Sequence, residues 1–464
     1  MLTYLLNMAF ALAATVLYIN APWTYNYDYC AMLMFLFLAQ NVLFFATNKR
    51  KHWLGFEFFF ALSFFLVNFV YPVFYAPTER IYWSFFSYTF NDNYVTRCTA
   101  LAYFGYAWYM LGATRILQLQ REEPSEPTFT ISMRQYMWFF VITLVAWLLF
   151  VATGGLTALR GAYSGGGNLR QVGIYSYFNN IFTIGCYLMA IFLFRLPKQK
   201  WWFYTLVIIA FMFAVLSTGS RQLAVALTLI LIAGFSMYVY HLRWWQVAIL
   251  MIGGSLALFL VVKLRKVGLD PGAWQAKLMH IKLSHYWDIF EDLIVNDLNL
   301  FVLYDFALKH EPTWFIGMAL DISSPIPGLA GYITSHSDLP PQMLHGGDLP
   351  SYIILGPKAN WGTGTNMVGE AFRSFGIVGT ALAMFLIGLW VKESYYRAKD
   401  NVYWYLMYFL LVGHALIYPR APLLFDPRLV TWSLLLLLIV MTITNHLPQI
   451  VNRLNNSEEK EPAQ

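Results

Sequence analysis

The sequence is short of charge. Asp, Glu, Lys and Arg make up only 12% of its 464 residues, against 59% that are hydrophobic. A soluble domain covers itself with roughly a quarter charged residues, so this composition excludes that class and points to a polytopic membrane protein. Cysteine is scarce as well: Cys30, Cys98 and Cys186 fall in or beside apolar runs without metal-ligand spacing and read as buried thiols. The chain has no HExxH, paired-Cys motif, Walker loop or GxSxG, which leaves metal, nucleotide and serine-hydrolase readings without support. Segments of about ten residues with alternating polarity, the mark of a membrane barrel, are missing too. Runs such as 141–152 and 430–443 are apolar on nearly every face, which calls for helices.

What is present fits a bilayer. Aromatics reach 19%, with 17 Trp and 31 Tyr, as interfacial belts require. The net charge of +6 would suit nucleic acid if it were clustered, but the basic residues sit at the ends of apolar runs, so membrane orientation explains them and no nucleic-acid partner is expected. Windows of about 18 to 22 apolar residues predict twelve spans, at 2–20, 29–47, 53–75, 97–116, 135–153, 175–195, 201–218, 222–241, 245–263, 374–394, 402–418 and 423–444. With the N-terminus in the cytoplasm, every short cytoplasmic loop is basic, including Lys49 to Lys51, Arg195 to Lys200 and Lys392 to Lys399. Both termini are then cytoplasmic. The first run lacks a basic leader and carries its small residues inside rather than after the apolar stretch, which predicts a retained span. The fold class is all-α: nine spans over 1–262, a large outer loop over 263–373, three spans over 374–444 and a cytoplasmic tail over 445–464.

The outer loop is the only long stretch too polar for lipid. Residues 288–310 mix aliphatic and acidic residues at helical spacing without proline and predict one or two amphipathic helices at the membrane face. Beyond them, SPIP at 324–327, LPP at 339–341 and HGGDLP at 345–350 are turn-rich. This loop reads as a catalytic lid.

Arginines collect on the outer side: Arg160, Arg170, Arg221, Arg265, Arg373, Arg420 and Arg428. An arginine near hydrocarbon is costly unless it is paired or given an anion, and its fork suits phosphate oxygens. Individually each can snorkel to headgroups or pair with a carboxylate such as Asp426; as a set they suit a shared anionic ligand. Arg221 lies in STGSRQ at 217–222, a tight turn opening a span, where helix amides also favour an anion. The alternative there is an ordinary capping turn. For proton transfer the outward candidates are Glu370, Asp305, Asp321, Asp338, Asp348, His285, His310, His336 and His345. Glu370 stands out because it precedes Arg373 by three residues, so a helix puts both on one face; a plain ion pair is the alternative. His336 and His345 lie in Pro- and Gly-rich loop, where solvated histidines are common.

STGSRQ opening a span, FIGMALDISSPIPG at 315–328 and GTGTNMVGEAFRSFGIVG at 362–379 occur in the order found in bacterial oligosaccharide repeat-unit polymerases, the Wzy-type O-antigen and capsule polymerases, which the chain resembles. The resemblance implies a GT-C-like membrane fold that transfers a growing glycan from undecaprenyl pyrophosphate to the non-reducing end of another lipid-linked repeat. It implies no metal or nucleotide-sugar cofactor, an inner-membrane location with the site facing outward, and a chain-length regulator as partner. Arg221, Glu370 and Arg373 fall on matching positions: arginines to hold the leaving pyrophosphate, and Glu370 or a loop histidine, His336 or His345, to deprotonate the acceptor. The SPIPG segment departs from the usual form in lacking an Arg-x-x-W-P continuation. Competing readings are an O-antigen ligase, which shares spans, arginines and loop, and a transporter or flippase, which would show inverted repeats and short loops.

Overall fold

The computed structural model describes residues 2–47, 53–77, 93–114, 127–158, 174–216, 221–264, 290, 293–357 and 362–458. Within them the chain is helical, and each of the twelve expected spans coincides with a helix. In order these are α1 (Leu2–Ile19), α2 (Tyr27–Thr47), α3 (Phe56–Asn68), α4 (Tyr94–Ala113), α5 (Met133–Ala152), α6 (Ile174–Phe192), α7 (Trp201–Leu216), α8 (Gln222–Tyr238) and α9 (Trp244–Leu264). The loop region contributes α10 (Asp297–Lys309), α11 (Ala319–Ser323), α12 (Leu329–His336) and α13 (Leu349–Leu355), and the chain closes with α14 (Met367–Arg397), α15 (Val402–His414) and α16 (Pro427–Glu458). Among the described residues, eight helical segments are long and apolar enough to cross a bilayer by themselves: Leu2–Ile19, Tyr27–Thr47, Phe56–Tyr75, Met133–Ala152, Ile174–Arg195, Lys198–Leu216, Met367–Arg397 and Pro427–Asn445.

Local chemistry sets the helix ends. Ser132 and Gln135 form a reciprocal capping box that starts α5. Asn401 caps α15 by accepting from the amides of Tyr403 and Trp404. Pro72, with no N–H to donate, ends the regular α-helix of α3, and the chain continues as a wider turn over Tyr71–Tyr75.

The centre of the molecule is the seam between α4 and α14. A Cβ on Gly112 would collide with the Phe385 carbonyl, and one on Gly388 with the Tyr109 carbonyl, so the two backbones touch where each helix offers a glycine. α4 is buried along almost its whole length as a result. Arg97 near its start is absorbed rather than exposed: Nε donates to the Tyr304 hydroxyl at 3.0 Å, Nη1 donates to the Ala21 carbonyl at 2.8 Å, and the guanidinium lies 3.9 Å from the centre of the Trp23 ring.

The loop helix differs from the amphipathic surface helix expected for 288–310. α10 is present, but every residue from Asp297 to Tyr304 is buried, so these two turns present no face to water. Asn299 donates to Asn296 Oδ1 at 2.8 Å and to the Thr363 carbonyl at 3.1 Å. α10 packs against α4 and α14, and so the loop region is rooted in the helix bundle. The SPIP turn is rooted too: Arg428 Nε donates to the Ser324 carbonyl at 3.0 Å and Trp432 Nε1 to the Pro325 carbonyl at 2.9 Å, tying the turn to the first turns of α16.

Candidate functional site

The site grows from the start of α14. Asn366 accepts from the amides of Val368 (3.0 Å) and Gly369 (3.1 Å), which fixes the first turn. Its own Nδ2 donates to Asn68 Oδ1 at 2.9 Å, so the cap is anchored to the end of α3. The helix then runs only to Gly376, whose φ of 66° breaks it. Residues 367–375 thus form a separate two-turn segment ahead of the apolar span, with Glu370 and Arg373 on one face.

Both charged side chains are inside the protein, Glu370 at 0% and Arg373 at 1% exposure. They do not form the simple ion pair that spacing alone allows. Glu370 Oε2 accepts from the Leu423 amide at 2.7 Å, and Oε1 has no hydrogen-bond partner. Arg373 Nη2 donates to the Gly317 carbonyl at 3.2 Å, while Nε and Nη1 have none. Each such buried group costs about 1–3 kcal/mol, so the arrangement is held for a reason other than stability.

Loop segments close over this face at two glycines. A Cβ on Gly317 would strike the Arg373 guanidinium, and one on Gly346 the Glu370 carboxylate. Gly317 belongs to the turn Trp314–Met318, which is also tied down by the Thr313 amide donating to the Arg373 carbonyl at 3.3 Å. Gly346 follows His345, and its amide donates to Asp321 Oδ2 at 3.2 Å.

His345 completes the cluster. Its Nε2 is 3.1 Å from Asp321 Oδ1, Nδ1 is 3.8 Å from Asp348 Oδ2, and Nδ1 has no hydrogen-bond partner. The side chain is 33% exposed, unlike Glu370 and Arg373. Burial works against the charged imidazole, but the Asp321 hydrogen bond and the charges of Asp321, Asp348 and Glu370 outweigh it and raise the pKa of His345 above its ordinary 6.5. With Nε2–H directed to Asp321, Nδ1 presents a lone pair, and the surrounding carboxylates stabilise the imidazolium that forms when it takes a proton.

The other sequence candidates are dispersed. His336, at the exposed end of α12, stacks on Tyr332 with ring centres 4.2 Å apart and places Nδ1 3.0 Å from the Tyr332 carbonyl. Arg428 is exposed and engaged with the Ser324 carbonyl. Arg420 is half-buried in the turn Tyr418–Arg420, and its carbonyl accepts from the Thr365 amide at 3.2 Å. Arg221 is half-buried at the head of α8. Arg160, Arg170 and Arg265 lie outside the described residues.

Two features were not singled out from the sequence. Asp321 was one carboxylate among several; only the fold brings it 24 positions along to His345. The other is Asp297, in an Asn-Asp-Leu-Asn stretch inside an apolar run, a pattern that signals buried polar structure. Its carboxyl is 0% exposed, neither oxygen has a hydrogen-bond partner, and burial pushes its pKa well up.

Residues 314–447 match the family model described as O-antigen polysaccharide polymerase Wzy. No curated protein and no solved structure gave a match. Glu370, Arg373, Asp321, His345, Asp348 and both contacting glycines fall inside the matched stretch, so the part of the chain that carries the cluster is similar to the Wzy-type polymerases, membrane glycosyltransferases that join lipid-linked oligosaccharide repeat units.

Proposed function

We propose that the cluster on the first turns of α14 is the transfer site. Arg373 binds the pyrophosphate of the undecaprenyl carrier, and His345 activates the acceptor sugar. In the transfer, the acceptor hydroxyl gives its proton to His345 Nδ1 as its oxygen bonds to the anomeric carbon. The bond from that carbon to the pyrophosphate breaks, and the lipid pyrophosphate leaves with the electron pair. Arg373 stabilises the charge that develops on the leaving oxygen, and general-base help from His345 is worth about 10²–10⁴-fold. Asp321 orients the imidazole. Glu370 holds the segment at Leu423 and adds negative charge near His345. His345 suits the role of base better than Glu370 because its side chain is 33% exposed and Glu370 is 0% exposed, although Nδ1 itself, like Oε1 of Glu370, is buried. His336, engaged by its own helix, stays a second histidine candidate only if the loop rearranges.

The observation that carries this reading is the buried Arg373 guanidinium with two nitrogens lacking hydrogen-bond partners, sharing the influence of Asp321 and Glu370 with a histidine whose Nδ1 also lacks one. A pyrophosphate would supply acceptors for those donors. Arg221, Arg420, Arg428, Arg160, Arg170 and Arg265 are proposed as further substrate-binding arginines on the outer side. The basic cytoplasmic loops support a bacterial inner membrane location with both termini inside and the site facing outward. In that setting the loop over 263–373 acts as a lid, and a chain-length regulator is the expected protein partner. Cells lacking this protein should carry single-repeat glycan on a gel. Unattached long chains in those cells would instead identify a ligase.

A further inference from the structure

Beside Arg373 lies an apolar ledge that the transfer chemistry does not use. Trp314, Phe315 and Ile316 are 60%, 62% and 55% exposed, although all three are large and apolar. They are held in place rather than trailing. Both aromatic rings rest edge-on against Phe375, with centres 6.2 Å and 5.1 Å away. Trp314 has φ 49°, the only positive φ at a non-glycine among the described residues. A bulky side chain in that region costs of order 1–3 kcal/mol and persists where the surroundings fix it for a purpose. A tryptophan that merely anchored the protein at a bilayer surface would need no such backbone.

The ledge is joined covalently to the anion site. The next residue, Gly317, is the one whose carbonyl accepts from Arg373 Nη2 at 3.2 Å. On the other side, past the break at Gly376, Val378, Leu382 and Leu386 recur at four-residue spacing and are 78%, 58% and 49% exposed, an apolar stripe down α14. A buried cation with two unsatisfied nitrogens, then a strained aromatic ledge, then an apolar stripe follow one another from Arg373. Their chemistry matches an amphiphile with a pyrophosphate head and a methyl-branched hydrocarbon tail.

We propose that Trp314, Phe315 and Ile316 seat the first isoprene units of the lipid carrier and so register its pyrophosphate on Arg373. The assignment rests on the polymerase reading for the identity of the lipid. Aromatic faces pack methyl-branched chains well, and burying this part of the tail holds the head group within reach of the buried Arg373 guanidinium.

The test uses the full-length protein in nanodiscs and a polyprenyl pyrophosphate with a diazirine in the isoprene units nearest the head group. Photolabel should concentrate on residues 314–316, be displaced by unlabelled polyprenyl pyrophosphate, and fall at least tenfold in Trp314→Ala/Phe315→Ala. Phe315→Leu, which keeps an apolar contact and protects against misreading a folding defect, should retain most of it. Label spread along Val378, Leu382 and Leu386 without displacement would overturn the assignment, since that is ordinary lipid contact. Labelling that disappears as the protein is concentrated would also overturn it, by showing that a second copy covers the ledge. Elongation of a lipid-linked repeat is measured on the same preparation: absence of elongation by the wild-type protein refutes the polymerase reading, whereas absence of displaceable label refutes the ledge.

Discussion

His345 Nε2 lies 3.1 Å from Asp321 Oδ1, and the neighbouring Gly346 amide donates to the other oxygen of the same carboxylate. One buried aspartate therefore fixes both the orientation of the imidazole and the backbone that closes over Glu370. The pair makes the site sensitive to pH. His345 serves as a base only when neutral, and its pKa is raised above 6.5 by Asp321, Asp348 and Glu370 against the effect of burial. Polymerisation should fall as pH drops through that raised value. Asp321→Asn removes the largest raising influence and should move the midpoint to lower pH, with kcat down at least tenfold, about 1.4 kcal/mol. An unchanged pH profile in Asp321→Asn would remove the pairing from the mechanism. The same ion pair stabilises the loop below the unfolded pKa of the histidine and is lost as pH rises through the folded one.

Arg373 should not tolerate lysine. A lysine keeps the charge but loses the planar fork and the bond from Nη2 to the Gly317 carbonyl. The expected result for Arg373→Lys is a KM for the lipid-linked donor raised at least tenfold with the protein still inserted. Wild-type kinetics in that variant would assign Arg373 a structural role.

Gly346→Ala puts a methyl group into the Glu370 carboxylate. Overpacking of this kind costs about 1–3 kcal/mol. Loop closure should weaken, and long-chain glycan on a gel should shorten or vanish while the membrane-inserted amount stays measurable. Full-length chains from Gly346→Ala would show that the loop does not close on Glu370 during turnover.

Asp297 gives a prediction of opposite sign. Its pKa is raised well above that of an unfolded carboxylate, so the folded protein binds more protons there and loses stability as pH rises. Asp297→Asn keeps the shape without the ionisation. It should raise the unfolding midpoint, more at pH 8 than at pH 5, by an amount on the order of 1–3 kcal/mol. A lower midpoint at both pH values would mean that the carboxylate has a charged partner.

The sequence made some of this legible and hid the rest for identifiable reasons. Each of the twelve apolar runs coincides with a helix among the described residues, because hydrophobic length is a local property. The Glu370 and Arg373 pair was legible from helical spacing, and the break that sets it apart falls at Gly376, two residues past the expected start of the tenth span. The burial of α10 was not, since Asn296, Asp297 and Asn299 look solvated until Thr363 comes in from 64 residues away. His336 and His345 looked alike in sequence. They differ in the fold because one stacks on its own helix and the other meets Asp321.

The most direct test is elongation by purified protein in nanodiscs supplied only with a lipid-linked repeat unit. The wild-type protein should build a ladder of longer glycans and release one lipid pyrophosphate per bond formed, while His345→Ala and Arg373→Ala, equally inserted, build none. A wild-type preparation that yields no ladder, or a full ladder from either variant, would contradict the assignment of this cluster as the polymerising site.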